Sequence, residues 1–313
     1  MSTVLIPIPY TISNMVCATE SSPEFVQADI YNTGNSVQVA AENSVYKSLK
    51  DSNTGGSTPS VNIANALLGT ETATWIKDGA TNPSRLTDEF LHSQTIGDET
   101  INNGSVSFDI ETDSIDMLAL MNIEADSVDI TYLADDGTTV IKEKTTTSLL
   151  INEDLDIMDY IYNEDDELKN AFIVYLPRAY SVIIRVALHR EIGVAKVGIP
   201  QVGRILQVGV SKWGIENRVK NYGGREDNTF GISTFNPGEK VNVMKVDCII
   251  PTPEYSAIFR KLKNLIDTPT LVLGDSRESG QEATWVYASI DDVLHIMSNE
   301  TTSKVLLKAN PLI

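Results

Sequence analysis

The alternation of apolar and polar residues limits what this chain can fold into more than any other feature of its sequence. Between about residues 79 and 190 the alternation has a period of two. Because successive side chains of a β-strand point to opposite faces of a sheet, this period predicts half-buried strands rather than helices. The strand-like segments are residues 106–110, 127–133, 139–144, 172–176 and 180–188. Regularly spaced strands with polar turns favour a β-sandwich or jelly roll in this part of the chain.

One turn and one ambiguous segment lie within this region. The Asp-Asp-Gly run at residues 135–137 separates two alternating segments, and an Asp-Gly pair in that position is a strong hairpin signal. Residues 114–123 have two interpretations. Their apolar residues have helical spacing, whereas the uninterrupted apolar run at residues 117–121 is equally typical of a buried strand.

Residues 31–77 are poor in long apolar runs and rich in Asn, Ser, Thr and Gly. Short alternating segments at residues 37–39 and 45–49 are separated from their neighbours by turn signals that contain Asn, Gly or Pro. This composition predicts a small turn-rich β module near the N-terminus.

The last third of the chain combines strands with one helix. Glycines recur at positions 193, 198, 203, 209 and 214, a spacing that predicts turns and matches no phosphate-binding loop. Predicted strands cover residues 241–250, 270–273, 283–289 and 304–308. A helix is expected to begin at Thr252-Pro253, because proline is well tolerated in the first helical turn. Its apolar face would be formed by Tyr255, Ile258, Phe259, Leu262, Leu265 and Ile266, with Arg260, Lys261 and Lys263 on the opposite face.

Together these patterns predict a mainly β fold in three parts. Residues 1–80 contain an N-terminal segment and a small carbohydrate-binding-like β module, and residues 81–190 form the β-sandwich or jelly-roll domain. Residues 191–313 form a C-terminal α+β assembly domain with one long amphipathic helix. A length of 313 residues with 42 % apolar residues is enough to bury several cores.

Charge is distributed unevenly along the chain and argues against a nucleic-acid partner. Residues 1–170 hold 7 Lys and Arg against 29 Asp and Glu, a net charge of −22, whereas residues 171–313 hold 17 against 14, a net charge of +3. An acidic first half repels phosphate backbones. The uneven charge has two interpretations. It either serves only to keep the protein soluble, or belongs to a subunit that docks its near-neutral end on a partner.

The sequence also argues against several other classes of protein. No apolar run approaches the roughly 18 residues of a membrane-spanning helix, so no membrane insertion is expected. The opening segment carries no Lys or Arg and is interrupted by Pro7 and Pro9, unlike a secretion signal. Cys17 and Cys248 are too few for a disulfide scaffold or a cysteine zinc site, and they are interpreted as free thiols.

No constellation of catalytic residues stands out, and the chain is predicted to be neither an enzyme nor a cofactor-binding protein. The sequence has no Gly-x-Ser-x-Gly motif for a nucleophile elbow. His92, His189 and His295 lie far apart without metal-binding spacing, and they are interpreted as structural or surface residues.

The acidic run at residues 152–167 is the densest group of carboxylates in the sequence. A solvated face is the favoured interpretation, because acid–base catalysis needs two carboxylates in contrasting environments. One alternative is a calcium site at Asn152, Asp154 and Asp156, although Ile157 stands where an EF-type loop would need glycine. The other alternative is the carboxylate pair of a glycosidase.

Three aromatic residues, Tyr31, Tyr46 and Trp75, lie among the polar residues of the small module. Flat rings stack on sugars while side-chain amides bind hydroxyl groups, so these residues are the candidate glycan-binding residues. A module of this size also needs large apolar groups for its own core. The rings are therefore candidates for either role.

The order of several short segments resembles a known family. The segments similar to the small carbohydrate-binding module of the chitin-binding type are residues 31–37, 45–55, 59 and 73–75. That module recurs near the N-terminus of a family of minor virion proteins in tailed bacteriophages. Further segments that fit are residues 6–9, 78–82, 88–90, 105–108 and 115–131. The resemblance covers about residues 1–200 by pattern and the last third only by its order of strand, helix and strand.

The resemblance implies a non-enzymatic structural component of a tailed-phage virion, acting as an adaptor in the tail, baseplate or neck. Such a protein is made in the host cytoplasm and resides in the virion. Its expected partners are other virion structural proteins and copies of itself, as a ring or trimer. The alternative is a receptor-binding protein that recognises host-surface glycan through Tyr31, Tyr46 and Trp75.

Overall fold

The computed structural model describes residues 1–54, 57–87, 99–149, 170–211, 215–221, 223–227, 233–236, 240–275, 284–297 and 301–311. Within these ranges the chain is mainly β, which confirms the prediction from the alternating pattern. The acidic run at residues 152–167, with its calcium and glycosidase alternatives, lies outside the described residues, as does His92.

The strands are numbered in chain order. Those of the first half are β1 (Ser2–Pro7), β2 (Tyr10–Val16), β3 (Ile30–Tyr31), β4 (Ser36–Val39), β5 (Ser44–Ser48), β6 (Asn53–Thr54), β7 (Trp75–Ala80), β8 (Thr100–Thr112), β9 (Met117–Met121), β10 (Ser127–Ala134) and β11 (Val140–Ser148). Those of the second half are β12 (Ala171–Tyr175), β13 (Val182–Val197), β14 (Gln201–Ser211), β15 (Glu216–Asn221), β16 (Gly224–Asp227), β17 (Ser233–Asn236), β18 (Lys240–Pro251), β19 (Pro269–Leu273), β20 (Trp285–Met297) and β21 (Thr302–Pro311). Two α-helices, α1 (Pro59–Leu67) and α2 (Thr252–Lys263), are described, together with 3-10 turns at Ala40–Glu42 and Asn82–Thr87.

Most strands belong to two large antiparallel sheets. The order in the nine-stranded sheet is β12-β9-β14-β1-β19-β20-β21-β18-β15, and the order in the five-stranded sheet is β11-β10-β13-β8-β2. The small sheets are β4-β5-β7, β3-β6 and β16-β17. Strand β1 lies in the middle of the nine-stranded sheet, where Thr3 pairs with Gln207 on one side and with Leu273 on the other. The first strand of the chain therefore completes a sheet made mostly from its last third.

The two large sheets share one apolar core. The five-stranded sheet contributes alternate residues of three strands: Val106, Phe108, Ile110, Val128, Ile130, Tyr132, Val182, Ile184, Val186 and Leu188. Strands β9, β12 and β14 of the nine-stranded sheet contribute Leu118, Leu120, Phe172, Val174 and Val202. In the five-stranded sheet, alternation along the strands sends intervening polar residues such as Asp109, Asp129 and Arg185 to the outer face, as the period of two requires.

Helix α2 covers a second core on the nine-stranded sheet. It begins at the predicted Thr252-Pro253 pair and is 12 residues long. Ile258 and Leu262 are buried against strands β18, β20 and β21. Leu265 and Ile266, which the sequence pattern placed on the helical face, lie beyond the helix end. The helix ends at Lys263 because the next residues turn into the connection to β19.

The ambiguous segment at residues 114–123 contains a strand, β9, rather than a helix. Its residues Met117, Leu118, Ala119 and Leu120 are buried on both faces between two cores. A strand that is covered on both sides has a continuous apolar sequence, which explains why its period could not be identified. The hairpin predicted at residues 135–137 is confirmed, since Leu133 pairs with Val140 across the turn.

The prediction that the recurring glycines mark turns is wrong for Gly193, which lies inside β13, and for Gly203 and Gly209, which lie inside β14. Gly214 lies outside the described residues. The two glycines of β14 are closely approached by other strands. A Cβ atom on Gly203 would overlap the Ile6 carbonyl oxygen of β1, and one on Gly209 would overlap Ile250. These positions need glycine because neighbouring backbone passes too close for a side chain. Gly198, in contrast, lies in the turn between β13 and β14.

We expect Gly203→Ala to lower the free energy of unfolding by about 1–3 kcal/mol, because the added methyl group has to displace β1 backbone. Gly224→Ala is the matched control, since nothing lies within 4 Å of a Cβ atom at Gly224. Its expected effect is within about 0.5 kcal/mol. Urea unfolding of both variants measures the difference, and equal stability of the two would contradict the close approach of β1.

Candidate functional site

The small β module is built around a cluster of aromatic rings. The ring centroids of Tyr31 and Trp75 are 5.2 Å apart at an interplanar angle of 67°, and Phe25 stacks on Tyr31 at 5.7 Å. Val37 and Tyr46 complete the buried cluster, and helix α1 lies against β7. Edge and offset contacts of this kind are the arrangements that aromatic rings favour.

The residues predicted to bind glycan belong to this cluster. Tyr31, Tyr46 and Trp75 are exposed by only 8 %, 4 % and 2 %. A ring that stacks on a sugar has to present a face to solvent, and these rings present almost none. The structure therefore brings the three residues together, and their burial favours the core role over glycan stacking.

The hydroxyl groups of the two tyrosines find partners inside the module. Tyr31 donates to the Val26 carbonyl oxygen at 3.1 Å and accepts from the Val26 N–H at 2.8 Å. Tyr46 donates to Oε2 of Glu42 at 2.6 Å. Burial, together with the hydrogen bond to the Glu42 carboxylate, raises the pKa of Tyr46 to about 12. These contacts fix the rings in place.

A polar cleft opens beside Trp75. Its volume is about 350 Å³, and its lining includes Lys50, Ser52, Asn53, Asn62, Glu71 and Thr74. Asn62 donates from Nδ2 to the Glu71 carboxylate at 3.1 Å and accepts from the Thr74 N–H at 2.9 Å. Asn53 donates from Nδ2 to the Ser48 hydroxyl at 3.2 Å. The two amide side chains thus keep the walls of the cleft in position. The exposed polar side chains of Lys50, Ser52 and Glu71 lie at its rim.

A second cavity lies where strands β9, β12 and β14 approach helix α2. It has a volume of about 530 Å³. The polar side chains in its lining include those of Asp116, Arg178, Gln207 and Lys261. It therefore combines one carboxylate with two cationic groups, in contrast to the acidic balance of the whole chain, which has a net charge of −19.

Asp116 is the most constrained polar group of this second cavity. Arg178 donates to both carboxylate oxygens, at 2.8 Å from Nη2 to Oδ2, and the Ile205 N–H donates to Oδ2 at 3.2 Å. The Asp116 side chain is 11 % exposed, whereas the Arg178 side chain is 68 % exposed. The hydrogen bonds from Arg178 outweigh the effect of burial and, with the nearby charge of Arg204, hold the pKa of Asp116 below its usual range. The carboxylate is therefore charged at neutral pH.

The outer face of the five-stranded sheet has two further pairs of polar side chains, each with one carboxylate. Arg185 donates to both oxygens of Asp109 at 2.9 Å, and Nε2 of His189 lies 3.1 Å from Oδ2 of Asp129. The side chains of Asp109 and Asp129 are 4 % and 10 % exposed, so each of these carboxylates is covered by its partner. Both pairs hold neighbouring strands of the sheet together.

His295 lies on the other sheet, where its ring stacks on Tyr255 of α2 with centroids 3.4 Å apart. Cys248 is buried in the core beneath α2, and burial raises its pKa to about 11. In the described part of the chain, no three His, Cys, Asp or Glu side chains are grouped so that they could hold a metal ion. No helix within the described ranges has the length and apolar character needed to cross a membrane.

Sequence patterns gave no signal for the Asp116–Arg178 pair. Asp116 precedes β9 in the segment whose period was ambiguous, and Arg178 lies in the loop after β12. The two residues meet because β12 pairs with β9, which places Tyr175 opposite Met117. Only knowledge of that strand pairing could have identified the pair.

The comparisons with known proteins find no matching family model, no curated protein and no solved structure that is similar to this chain.

We expect Arg178→Ala to destabilise the protein at neutral pH, because it removes two hydrogen bonds from a nearly buried carboxylate. Since the pKa of Asp116 is lowered in the folded state, its stabilising contribution is present at neutral pH and is lost as the pH falls below about 4. The difference in stability between wild type and variant should therefore shrink towards acid pH. Urea unfolding at several pH values measures it.

Arg218→Ala on β15 is the control, because Arg218 is exposed and its substitution removes the same positive charge from another part of the protein. A stability difference for Arg178→Ala that stays constant with pH, or that the Arg218→Ala variant reproduces, would contradict the assigned role of the pair.

Proposed function

We propose that this chain is a non-enzymatic structural component of a tailed-phage virion. It acts as an adaptor in the tail, baseplate or neck, and it assembles with other virion proteins and with copies of itself, as a ring or trimer. In this proposal the middle of the chain is a β-sandwich of the jelly-roll type. The last third is an α+β assembly domain whose amphipathic helix is α2. The order of segments that resembles phage minor virion proteins supports the proposal.

The observation that carries the proposal is the uncharged sequence of one edge strand. In the described chain, β12 ends the nine-stranded sheet and pairs on one side with β9. Its sequence, Ala-Phe-Ile-Val-Tyr, contains no charged residue and no proline. Edge strands of proteins that stay monomeric commonly carry charges, prolines or bulges, because a plain edge is a template for another strand.

The other edges of the two large sheets have these protective features. Strand β15 at the far end of the nine-stranded sheet contains Glu216, Arg218 and Lys220. The edges of the five-stranded sheet are β11, which carries three charged residues, and β2, which has an irregular register between Ser13 and Val16. The plain edge is thus a local property of β12, and it favours strand addition by a neighbouring subunit.

Assembly through such an edge uses only backbone hydrogen bonds and apolar contacts. Backbone hydrogen bonds continue the sheet into the neighbour, and surrounding apolar side chains add buried area, of which a stable interface needs on the order of 1,000 Å². The acidic first half of the chain then faces water or a basic neighbour. Symmetric virion axes favour repeated copies of one such contact.

Recognition of host-surface glycan is the second candidate, and the polar cleft of the small module favours it. The cleft offers amide, hydroxyl and charged groups close to an aromatic residue, which is a combination that suits saccharides. Because Trp75 is almost fully buried, binding would depend on hydrogen bonds at the rim rather than on stacking.

We expect quantitative mass spectrometry of purified particles to detect this chain at a fixed small copy number, such as a multiple of three or six. Symmetric assembly around a virion axis is the physical reason for a fixed number. A host lysate cleared of particles is the control. Absence of the chain from particles would overturn the virion proposal.

Glycan recognition is tested by changing the rim of the cleft without touching the aromatic core. If the adaptor role is right, particles with the double change Lys50→Ala and Glu71→Ala adsorb to host cells at the wild-type rate. Lys47→Ala is the matched control, since Lys47 is exposed on β5 outside the cleft. Loss of adsorption by at least about tenfold in the double variant alone, about 1.4 kcal/mol in binding free energy, would favour the glycan receptor instead.

A further inference from the structure

An exposed tyrosine, Tyr180, lies in the loop after β12, close to both acidic and basic side chains. The loop after β12 lies beside the hairpin turn between β10 and β11, because the Tyr132 hydroxyl donates to the Pro177 carbonyl oxygen at 3.0 Å. The Ser181 hydroxyl also donates to Oδ1 of Asp135 at 2.9 Å. These contacts place Asp135 beside the loop that carries Arg178 and Tyr180. Arg178 and Lys261 line the 530 Å³ cavity together, and the charge of Arg204 acts on Asp116 in the same cavity. We call this surface the mixed-charge patch and define it as Asp135, Asp136, Arg178, Tyr180, Arg204 and Lys261.

The basic half of the patch surrounds the 530 Å³ cavity. Arg178 and Lys261 line this cavity, and Arg204 donates from Nε to the Ser114 carbonyl oxygen at 3.2 Å. Lys261 and Arg178 line the cavity with Asp116, and the charges of Arg178 and Arg204 act on the Asp116 carboxylate, so among these four groups the cations outnumber the carboxylate. A guanidinium group has five N–H donors, and Asp116 occupies two of those on Arg178. Further donors of Arg178 therefore face solvent.

The acidic half is the tip of the β10–β11 hairpin. Asp135 and Asp136 are both exposed there. Asp136 accepts hydrogen bonds from the N–H groups of Thr138 and Thr139 at 2.9 and 2.7 Å. A hydrogen bond from the Thr139 hydroxyl, together with those two backbone bonds, lowers the pKa of Asp136 to about 2. The turn therefore presents fixed negative charge beside the loop that carries Arg178 and Tyr180.

Tyr180 lies between the two halves, two residues after Arg178 and next to Ser181. It is 91 % exposed, more than any other large apolar or aromatic side chain in the described chain. Tyrosine and arginine are, with tryptophan, the residue types enriched among the energetically dominant positions of protein interfaces. A surface with a solvent-exposed tyrosine between opposite charges is thus suited to binding a protein partner.

We infer that the mixed-charge patch binds the same patch of a second copy of this chain across a two-fold axis. In a two-fold contact the same surface is used by both copies, so the surface has to complement itself. A patch whose acidic and basic halves lie side by side does so, because rotation by 180° places each acidic turn against the basic cavity of the other copy. The two Tyr180 side chains are then buried near the axis.

This inference rests on the proposed assembly role and names one of its partners. A two-fold contact closes on itself and gives a dimer, whereas a ring requires a second surface, for which the β12 edge is the candidate. The contact between carboxylates and cations at an exposed patch weakens with salt, because screening acts most strongly on solvent-exposed charges. Self-association should therefore fall as ionic strength rises.

The test is sedimentation velocity of the full chain over a range of concentrations, at about 50 and about 500 mM NaCl. We expect a dimer of the 34.3 kDa chain at low salt and a clear rise of its dissociation constant at high salt. Lys261→Glu alone and Asp135→Lys alone should each raise that constant at least about tenfold, since each places like charges together. The double variant should restore dimerisation.

Tyr180→Ser tests the contact without any change of charge, and it should also weaken the dimer. Lys47→Glu is the control, because it makes the same charge change at an exposed lysine of the distant small module. Circular dichroism confirms that each variant is folded. A wild type that stays monomeric, or single charge variants that dimerise like wild type, would overturn the inference. The proposed virion role would be judged separately, by the presence of the chain in purified particles.

Discussion

The apolar core shared by the two large sheets is the interaction on which the rest of the structure depends. Each large side chain that it buries, such as Phe108, Ile184 or Leu118, contributes about 1.5–3 kcal/mol. The packing of the two sheets against each other also fixes the positions of the loops that connect their strands. Tyr132 shows this directly, because its ring is part of the core while its hydroxyl binds the loop that carries Arg178. The Asp116 pair, the hairpin tip and Tyr180 are neighbours only because the two sheets meet here.

Much of the secondary structure could be predicted from the sequence, since it depends on local patterns. Strands with one buried face keep a period of two, so β8, β10 and β13 were identifiable, as was the Asp-Gly turn between β10 and β11. The start of α2 could also be predicted, because proline marks a first helical turn. The strand β9 could not be distinguished from a helix, since both of its faces are buried and its polar residues are missing.

The candidate sites were harder to predict because they depend on pairings between distant segments. Asp116 and Arg178 meet only through the pairing of β9 with β12, and nothing in either segment indicates the partner. The spacing of the glycines predicts a turn at Gly203, whereas the glycine is needed because β1 lies next to it. The aromatic residues of the small module were ambiguous for a different reason. A sugar-stacking platform and a hydrophobic core need the same residue types, so only burial distinguishes them.

The central place of β1 has a consequence for how the chain reaches its folded state. During synthesis the five-stranded sheet can pair early, because its strands lie between residues 10 and 197. Val4 and Leu5 are almost fully buried in the complete sheet. They can reach this environment only after both β14 and β19 have been synthesised, because β1 pairs with these two strands. Contacts between such distant segments form slowly, and strand edges that are still unpaired are prone to mispairing. Insertion of the first strand is therefore expected to be a late step of folding, and newly made chains have to keep that strand unpaired until then.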